Sequence, residues 1–274
     1  GDARGAFKNV TMDMRMYNKM KFFVHAEEMP MEELNDEDLS MFIRVGTDYN
    51  SNYYEYEIPL KVTEWGASSR DQVWPEENQV EIDFDLLRKA KLNRNAEIRE
   101  GNPNVNFNKP YSYQSTGDKK RINIVGNPNL ANVRTIMLGV RNPKSDFHAG
   151  DDGLPKCVEV WINELRLTDF DERGGYAAKA QLKTRLADLG SMTLAGNMST
   201  VGFGSLEQGV TERNQEETRQ YNFTSNVELG KLFSEEANVK IPVFVGVSET
   251  VLSPQFNPLD PDVELKATLA DERM

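Results

Sequence analysis

The sequence holds one cysteine, Cys157, and two histidines, His25 and His148, among 274 residues. A lone thiol excludes an intrachain disulfide and leaves the compartment open. Cys157 is expected to be a small packing residue beside Val158, Val160 and Ile162. The histidines stand far apart, with no Cys or Glu at ligand spacing, so no metal site is assigned. No apolar run approaches the length of a membrane helix, and mean hydropathy is -0.61. That shortage does not bear on crossing by strands, whose lumen-facing residues dilute hydropathy. Basic charge is also short: the net charge of -12 argues against nucleic acid, which demands a basic surface. No Gly-x-Ser-x-Gly elbow is present. Gly202-Phe203-Gly204, followed by Gly209, lacks the spacing of a dinucleotide fingerprint, and these glycines are expected to permit bending in a strand. We assign no catalytic residue and no cofactor, and expect the chain not to be an enzyme. The start, Gly1-Asp2-Ala3-Arg4, has no basic and apolar signal region, which predicts a mature or excised segment.

What the chain does have is two-residue alternation. Tyr176, Ala178, Ala180, Leu182, Thr184 and Leu186 fall on one side of an extended segment, and Lys179, Gln181, Lys183 and Arg185 on the other. Beyond Asp188-Leu189-Gly190 the alternation resumes, with Met192, Leu194, Gly196 and Met198 opposed to Ser191, Thr193, Ala195 and Asn197. A three-residue loop closed by a left-handed glycine predicts a hairpin pairing Leu186 with Met192, Thr184 with Leu194, and Lys183 with Ala195. Tyr221, Phe223, Val227 and Leu229 make a third amphipathic strand, and Val239, Ile241, Val243, Val245 and Val247 a fourth. The run Glu207 to Gln220, ahead of the third strand, reads as a solvated loop between strands.

Before this region come short strands separated by polar connections. Met41-Phe42-Ile43-Arg44-Val45 and the run Tyr53 to Leu60 form a second hairpin candidate, with Tyr54, Tyr56, Ile58 and Leu60 on one side. Further strands are expected at Lys21 to Ala26, Arg121 to Val125, Thr135 to Val140 and Val158 to Ile162. Only Asp83 to Leu92 reads as helix, and Asn93 to Lys120 as an extended surface loop. The fold class expected is all-β: a jelly-roll-like antiparallel sandwich over 7–170, then amphipathic hairpins over 171–262, then a tail over 263–274. Prolines at 254, 258 and 261 break regular structure where the hairpins end.

Alternation by itself suits a soluble sheet as well as a barrel wall. The runs Val160-Trp161-Ile162-Asn163-Glu164-Leu165-Arg166-Leu167-Thr168-Asp169-Phe170, Leu186-Ala187-Asp188-Leu189-Gly190-Ser191, Ser199-Thr200-Val201-Gly202-Phe203-Gly204 and Phe256-Asn257-Pro258-Leu259-Asp260-Pro261-Asp262 closely resemble the SprA/Sov family. The likeness is looser toward the start, at Asp13-Met14-Arg15-Met16-Tyr17 and Phe22-Phe23-Val24-His25-Ala26-Glu27. That family comprises very large outer-membrane translocons of the type 9 secretion system of Bacteroidetes, needed also for gliding motility. The resemblance implies a Gram-negative outer-membrane location with a periplasmic domain, and a segment of a huge β-barrel that exports folded proteins. Four strands do not close a barrel, since such barrels start at eight, so the pore would belong to a larger protein. It further implies as partners secreted cargo, a small PorV-like outer-membrane barrel shuttle, a periplasmic plug, and the remainder of the same translocon chain. On this reading Tyr176, Ala178, Ala180, Leu182, Leu186, Met192, Leu194 and Met198 face lipid, and Lys179, Gln181, Lys183, Arg185 and Asn197 face the lumen.

Two competing sites complete the reading. Asp146, Asp151 and Asp152, beside Gly150 and Gly153, offer oxygens of the kind calcium takes, although a solvated acidic loop is the simpler account. Tyr53, Tyr54, Tyr56, Trp65 and Trp74 suggest a sugar-stacking platform, the basis of an alternative function as a non-catalytic glycan-binding module of a cell-surface protein. The discriminator is exposure, because stacking needs two coplanar rings in solvent.

Overall fold

The computed structural model describes residues 2–30, 34–114, 120–143, 153–209 and 212–266. The chain divides into two compact units: the first contains Gly1–Asp171 and Leu259–Val263, the second Glu172–Pro258. The fold is all-β and antiparallel, with no closed barrel among the described residues.

Unit 1 contains β1 (Asp2–Met12), β2 (Tyr17–Glu28), β3 (Ser40–Gly46), β4 (Tyr53–Pro59), β5 (Gln79–Asp83), β6 (Tyr111–Gln114), β7 (Arg121–Val125), β8 (Val133–Asn142) and β9 (Val158–Phe170). Its helices are α1 (Arg70–Val73) and α2 (Phe84–Arg99). Six strands form one sheet in the order β1-β8-β3-β4-β7-β6, and three form another in the order β5-β2-β9. Alternation explains how they meet. Met20, Phe22 and Val24 of β2 turn inward together with Met41, Ile43 and Val45 of β3, Tyr54, Tyr56 and Ile58 of β4, and Ile122 and Ile124 of β7, building one shared core. The expected β3–β4 hairpin forms, pairing Gly46 with Tyr53 and Ser40 with Pro59. Its loop is tied by the Asp48 carboxylate, which accepts the backbone N–H groups of Asn50 and Asn52 at 2.8 and 3.2 Å.

Four sequence expectations change here. The helix does not stop at Leu92 but runs to Arg99, because Lys91 and Arg94 lie on its buried face and hide the apolar period. The Asn93–Lys120 stretch is accordingly shorter as a loop, and contributes β6. Cys157 is exposed, not packed. Strand β9 also outruns its apolar core at Val158–Ile162: Glu164, at φ 55°, takes up an extra residue where the pairing with β2 shifts between Lys21 and Phe23.

The outward face of the six-stranded sheet carries charge. Glu55 accepts from Arg44 Nε at 2.7 Å, Arg141 Nη2 at 3.1 Å and Asn123 Nδ2 at 2.8 Å. Glu57 accepts from Ser40 Oγ and Arg141 Nη1, both at 2.5 Å. Burial pushes the Glu55 carboxyl up, but Arg141, Arg44 and the Asn123 amide outweigh it and hold it below the usual range.

Unit 2 is a meander of β10 (Ala177–Leu186), β11 (Gly190–Ser199), β12 (Glu216–Glu228) and β13 (Pro242–Pro254), paired in that order. The β10–β11 hairpin forms, but its register differs from the expected one: Leu182 pairs with Leu194, Thr184 with Met192, and Lys183 with Thr193. The loop is Ala187-Asp188-Leu189, with Ala187 in the left-handed region at φ 49° and Leu189 N–H donating to the Leu186 carbonyl at 2.9 Å. Gly190 is a strand residue opposite Leu186 and Val227, where an added Cβ would lie 2.1 Å from the Asn226 carbonyl oxygen. It serves a close backbone approach, not the turn. The slip is two residues, so every side chain keeps its face. Gly202, in contrast, lies outside the strands, in a turn at φ 80°, in place of the bent strand expected. The polar run ends as a loop at Gln215, and its last residues, from Glu216, belong to β12.

Candidate functional site, a two-faced sheet

Residues paired across an antiparallel ladder lie on the same face, so the register of unit 2 assigns every side chain to a side. One face is built of successive cross-strand rows. Leu186, Gly190, Val227 and Val243 make the first; Thr184, Met192, Ser225 and Val245 the next; then Leu182, Leu194, Phe223 and Val247. Ala180, Gly196, Tyr221 and Glu249 follow, and then Ala178, Met198, Arg219 and Val251. The apolar character ends where the rows meet Glu249 and Arg219, whose Nε donates to Glu217 at 2.7 Å.

The opposite face is polar. Its rows are Lys183, Thr193, Thr224 and Gly246; Gln181, Ala195, Asn222 and Ser248; Lys179, Asn197, Gln220 and Thr250. Arg185 joins Ser191 and Asn226 one row further on, where Phe244 supplies the exception. Hydroxyls and amides dominate, and the three cations share one edge strand.

Of the residues expected to share the apolar side, Ala178, Ala180, Leu182, Leu186, Met192, Leu194 and Met198 do so. Tyr176 stands one residue before β10, is exposed, and meets Thr200 through two hydrogen bonds of 2.9 Å. Lys179, Gln181, Lys183, Arg185 and Asn197 share the polar side. The apolar face stays open: Leu182, Leu194, Tyr221, Val245 and Val247 are all exposed. Such a face on an ordinary soluble domain is an aggregation hazard or an interaction surface. Among the described residues the outer edges of β10 and β13 are unpaired, which leaves a row of free backbone groups on each.

The competing sites fare differently. Tyr53, Tyr54 and Tyr56 are buried and Trp74 packs against Phe23 and His25 at 6.4 and 5.8 Å, so of the expected platform only Trp65, 55% exposed, offers an open ring. That set makes no stacking platform. His25 is buried, its Nδ1 2.7 Å from the Val73 carbonyl oxygen and its Nε2 3.5 Å from Glu27. His148 and the calcium candidates Asp146, Asp151 and Asp152, with Gly150, lie outside the described residues. Sequence reasoning missed the buried charges Lys91, Arg94 and Asp262. The one signal for them was an acidic pair around Pro261, which reads locally as a chain break.

A comparison with protein families matches residues 1–269 to SprA_N, described as a motility related/secretion protein. A comparison with curated proteins finds no match.

Proposed function

The chain belongs to the SprA_N family of motility-related and secretion proteins, and on that premise we propose that it is a wall-and-scaffold segment of a type 9 secretion translocon. In this reading unit 1 is a sandwich on the periplasmic side of a Gram-negative outer membrane. Unit 2 is four strands of a much larger barrel through which folded proteins pass. No reaction is catalysed: the work is to keep lipid on one side and a wet lumen on the other. Cargo, a PorV-like shuttle barrel and a periplasmic plug are the partners proposed, together with flanking strands of the same translocon chain.

One observation carries the reading, namely the separation of side chains across β10–β13. Leucine, valine, methionine and phenylalanine dominate the rows of one face up to Glu249 and Arg219, with Thr184 and Ser225 among them, and hydroxyl, amide and cationic groups dominate the other. Strands of roughly ten residues with outward apolar and inward polar positions are what outer-membrane barrels use. The free edges suit a sheet that continues into neighbouring strands, since closure is the one arrangement that abolishes edges in a bilayer. The glycan-binding alternative has lost its basis, because the tyrosines it needs are buried.

The test is a pair of neighbours with opposite faces. In the full-length parent, Leu182→Arg places a cation on the apolar face and is expected to cost about 2–4 kcal/mol if that face meets the bilayer midplane. Gln181→Arg adds the same cation to the polar face and is expected to cost little. Outer-membrane assembly and secretion should therefore fail in the first variant and survive in the second. Equal assembly of both would sink the membrane-facing assignment.

A further inference from the structure

After the strands of unit 2, the chain returns to unit 1 through Leu259–Val263. Asp262 is fully buried there. Its Oδ1 lies 2.9 Å from Lys91 Nζ, and its Oδ2 accepts from the Tyr54 hydroxyl at 2.6 Å and from Leu130 N–H at 3.3 Å. Asp260 adds a second carboxylate 3.1 Å from Lys91 and accepts from Asn95 Nδ2 at 3.2 Å. Arg15, held by Asp13, donates to the Pro261 carbonyl at 3.3 Å.

The cation side of this arrangement is held by unit 1 itself. Lys91 has no exposed surface, and its ammonium also donates to the Pro128 carbonyl at 2.9 Å. Arg94, one turn further along α2, is equally enclosed and donates to the Gly126 carbonyl and the Asn95 side chain. A buried ammonium without an anion is strongly unfavourable, and a buried pair broken at one partner is worse than no pair. Among the described residues, the carboxylates on Lys91 come from the returning segment alone.

We propose that α2, β4 and the loop around Leu130 form a carboxylate receptor whose occupant is the chain's own Leu259–Val263, a strap that locks unit 1 only after the strands of unit 2 have been threaded. Where the chain leaves unit 1, Asp171 N–H donates to the Met16 carbonyl at 2.7 Å. The excursion is thus pinned at both ends to one sandwich. The consequence is an order of events: residues up to Asp171 hold an unsatisfied cation until the strap arrives. This holds whether or not the sheet meets lipid.

The full chain carries the test. Asp262→Ala is expected to lower the unfolding midpoint of unit 1 by roughly 10 °C, the size expected for a buried pair broken at one end. Hydrogen exchange should rise in Leu259–Val263 and around Leu130, while the amides of β10–β13 keep wild-type protection. A peptide of sequence Asn-Pro-Leu-Asp-Pro-Asp-Val, spanning 257–263, should bind this variant and restore its midpoint. The same peptide with Asn at the position of Asp262 should not, and the wild-type chain, its receptor filled, should bind neither. Should Asp262→Ala fail to fold, Tyr54→Phe carries the test: it keeps the Lys91 pair, removes one donor, and should open the strap with a smaller drop in midpoint. An unchanged midpoint and a protected strap in either folded variant overturn the proposal. So does a folded Asp262→Ala chain with an open strap that ignores the peptide.

Discussion

The two units use the same local code with opposite outcomes. In β4 alternate residues Tyr54, Tyr56 and Ile58 point into a core, and across it Phe22 of β2 is 0% exposed. In β10 and, with Phe244 and Glu249 as exceptions, in β13 the side chains alternate too, yet Leu182 is 59% exposed and Val247 61%. The difference lies in the layer opposite. Unit 1 has two sheets and a helix to close on one another, whereas among the described residues unit 2 is a single sheet with no second layer of its own on its apolar side. An amphipathic strand therefore specifies a face, and only a second layer specifies burial.

The largest contrast should come from truncating the apolar faces. In the isolated chain Phe22→Ala is expected to cost about 3–5 kcal/mol by urea denaturation, as a large side chain lost from a closed core. Leu182→Ala should cost far less, about 0.5 kcal/mol, because Leu182 is largely exposed and little packing is removed. Similar losses for both would mean that unit 2 has an internal layer, and the comparison would collapse.

A smaller effect separates two glycines within unit 2. Gly190→Ala is expected to cost about 1–3 kcal/mol, since its methyl would meet the backbone of β12 and force the strands apart. At Gly196 the nearest atom to an added Cβ is 3.8 Å away, so Gly196→Ala should leave the β11–β12 pairing unchanged. Exchange protection of the β12 amides distinguishes the two.

Smallest is the response to acid expected of unit 1. The Glu55 carboxyl sits below its ordinary range in the folded chain, so its contribution is present above the unfolded value, near 4.5, and is lost as pH falls through the folded one. The unfolding midpoint of unit 1 should decline from pH 6 to pH 3, less so in Glu55→Gln.

Much of this was legible in the residues. Period-two alternation marked most of the strands, the β3–β4 and β10–β11 hairpins, and the faces of Leu182 and Lys183, because side-chain direction in a strand is a property of neighbours in sequence; β5 and β6 went unread. The all-β class and the likeness to the secretion family came from the same local runs. Register, burial and the strap required the folded chain. The β10–β11 pairing is set by a left-handed Ala187 and by how closely Gly190 approaches β12, and parity preserved the faces through the two-residue difference. The last turns of α2 were hidden because Lys91 and Arg94 read as surface residues until Asp262, 171 positions beyond Lys91, supplies the charge that lets Lys91 be buried. Contacts at such separations leave no periodic trace, since what satisfies a buried ammonium is a distant carboxylate and not the pattern around it.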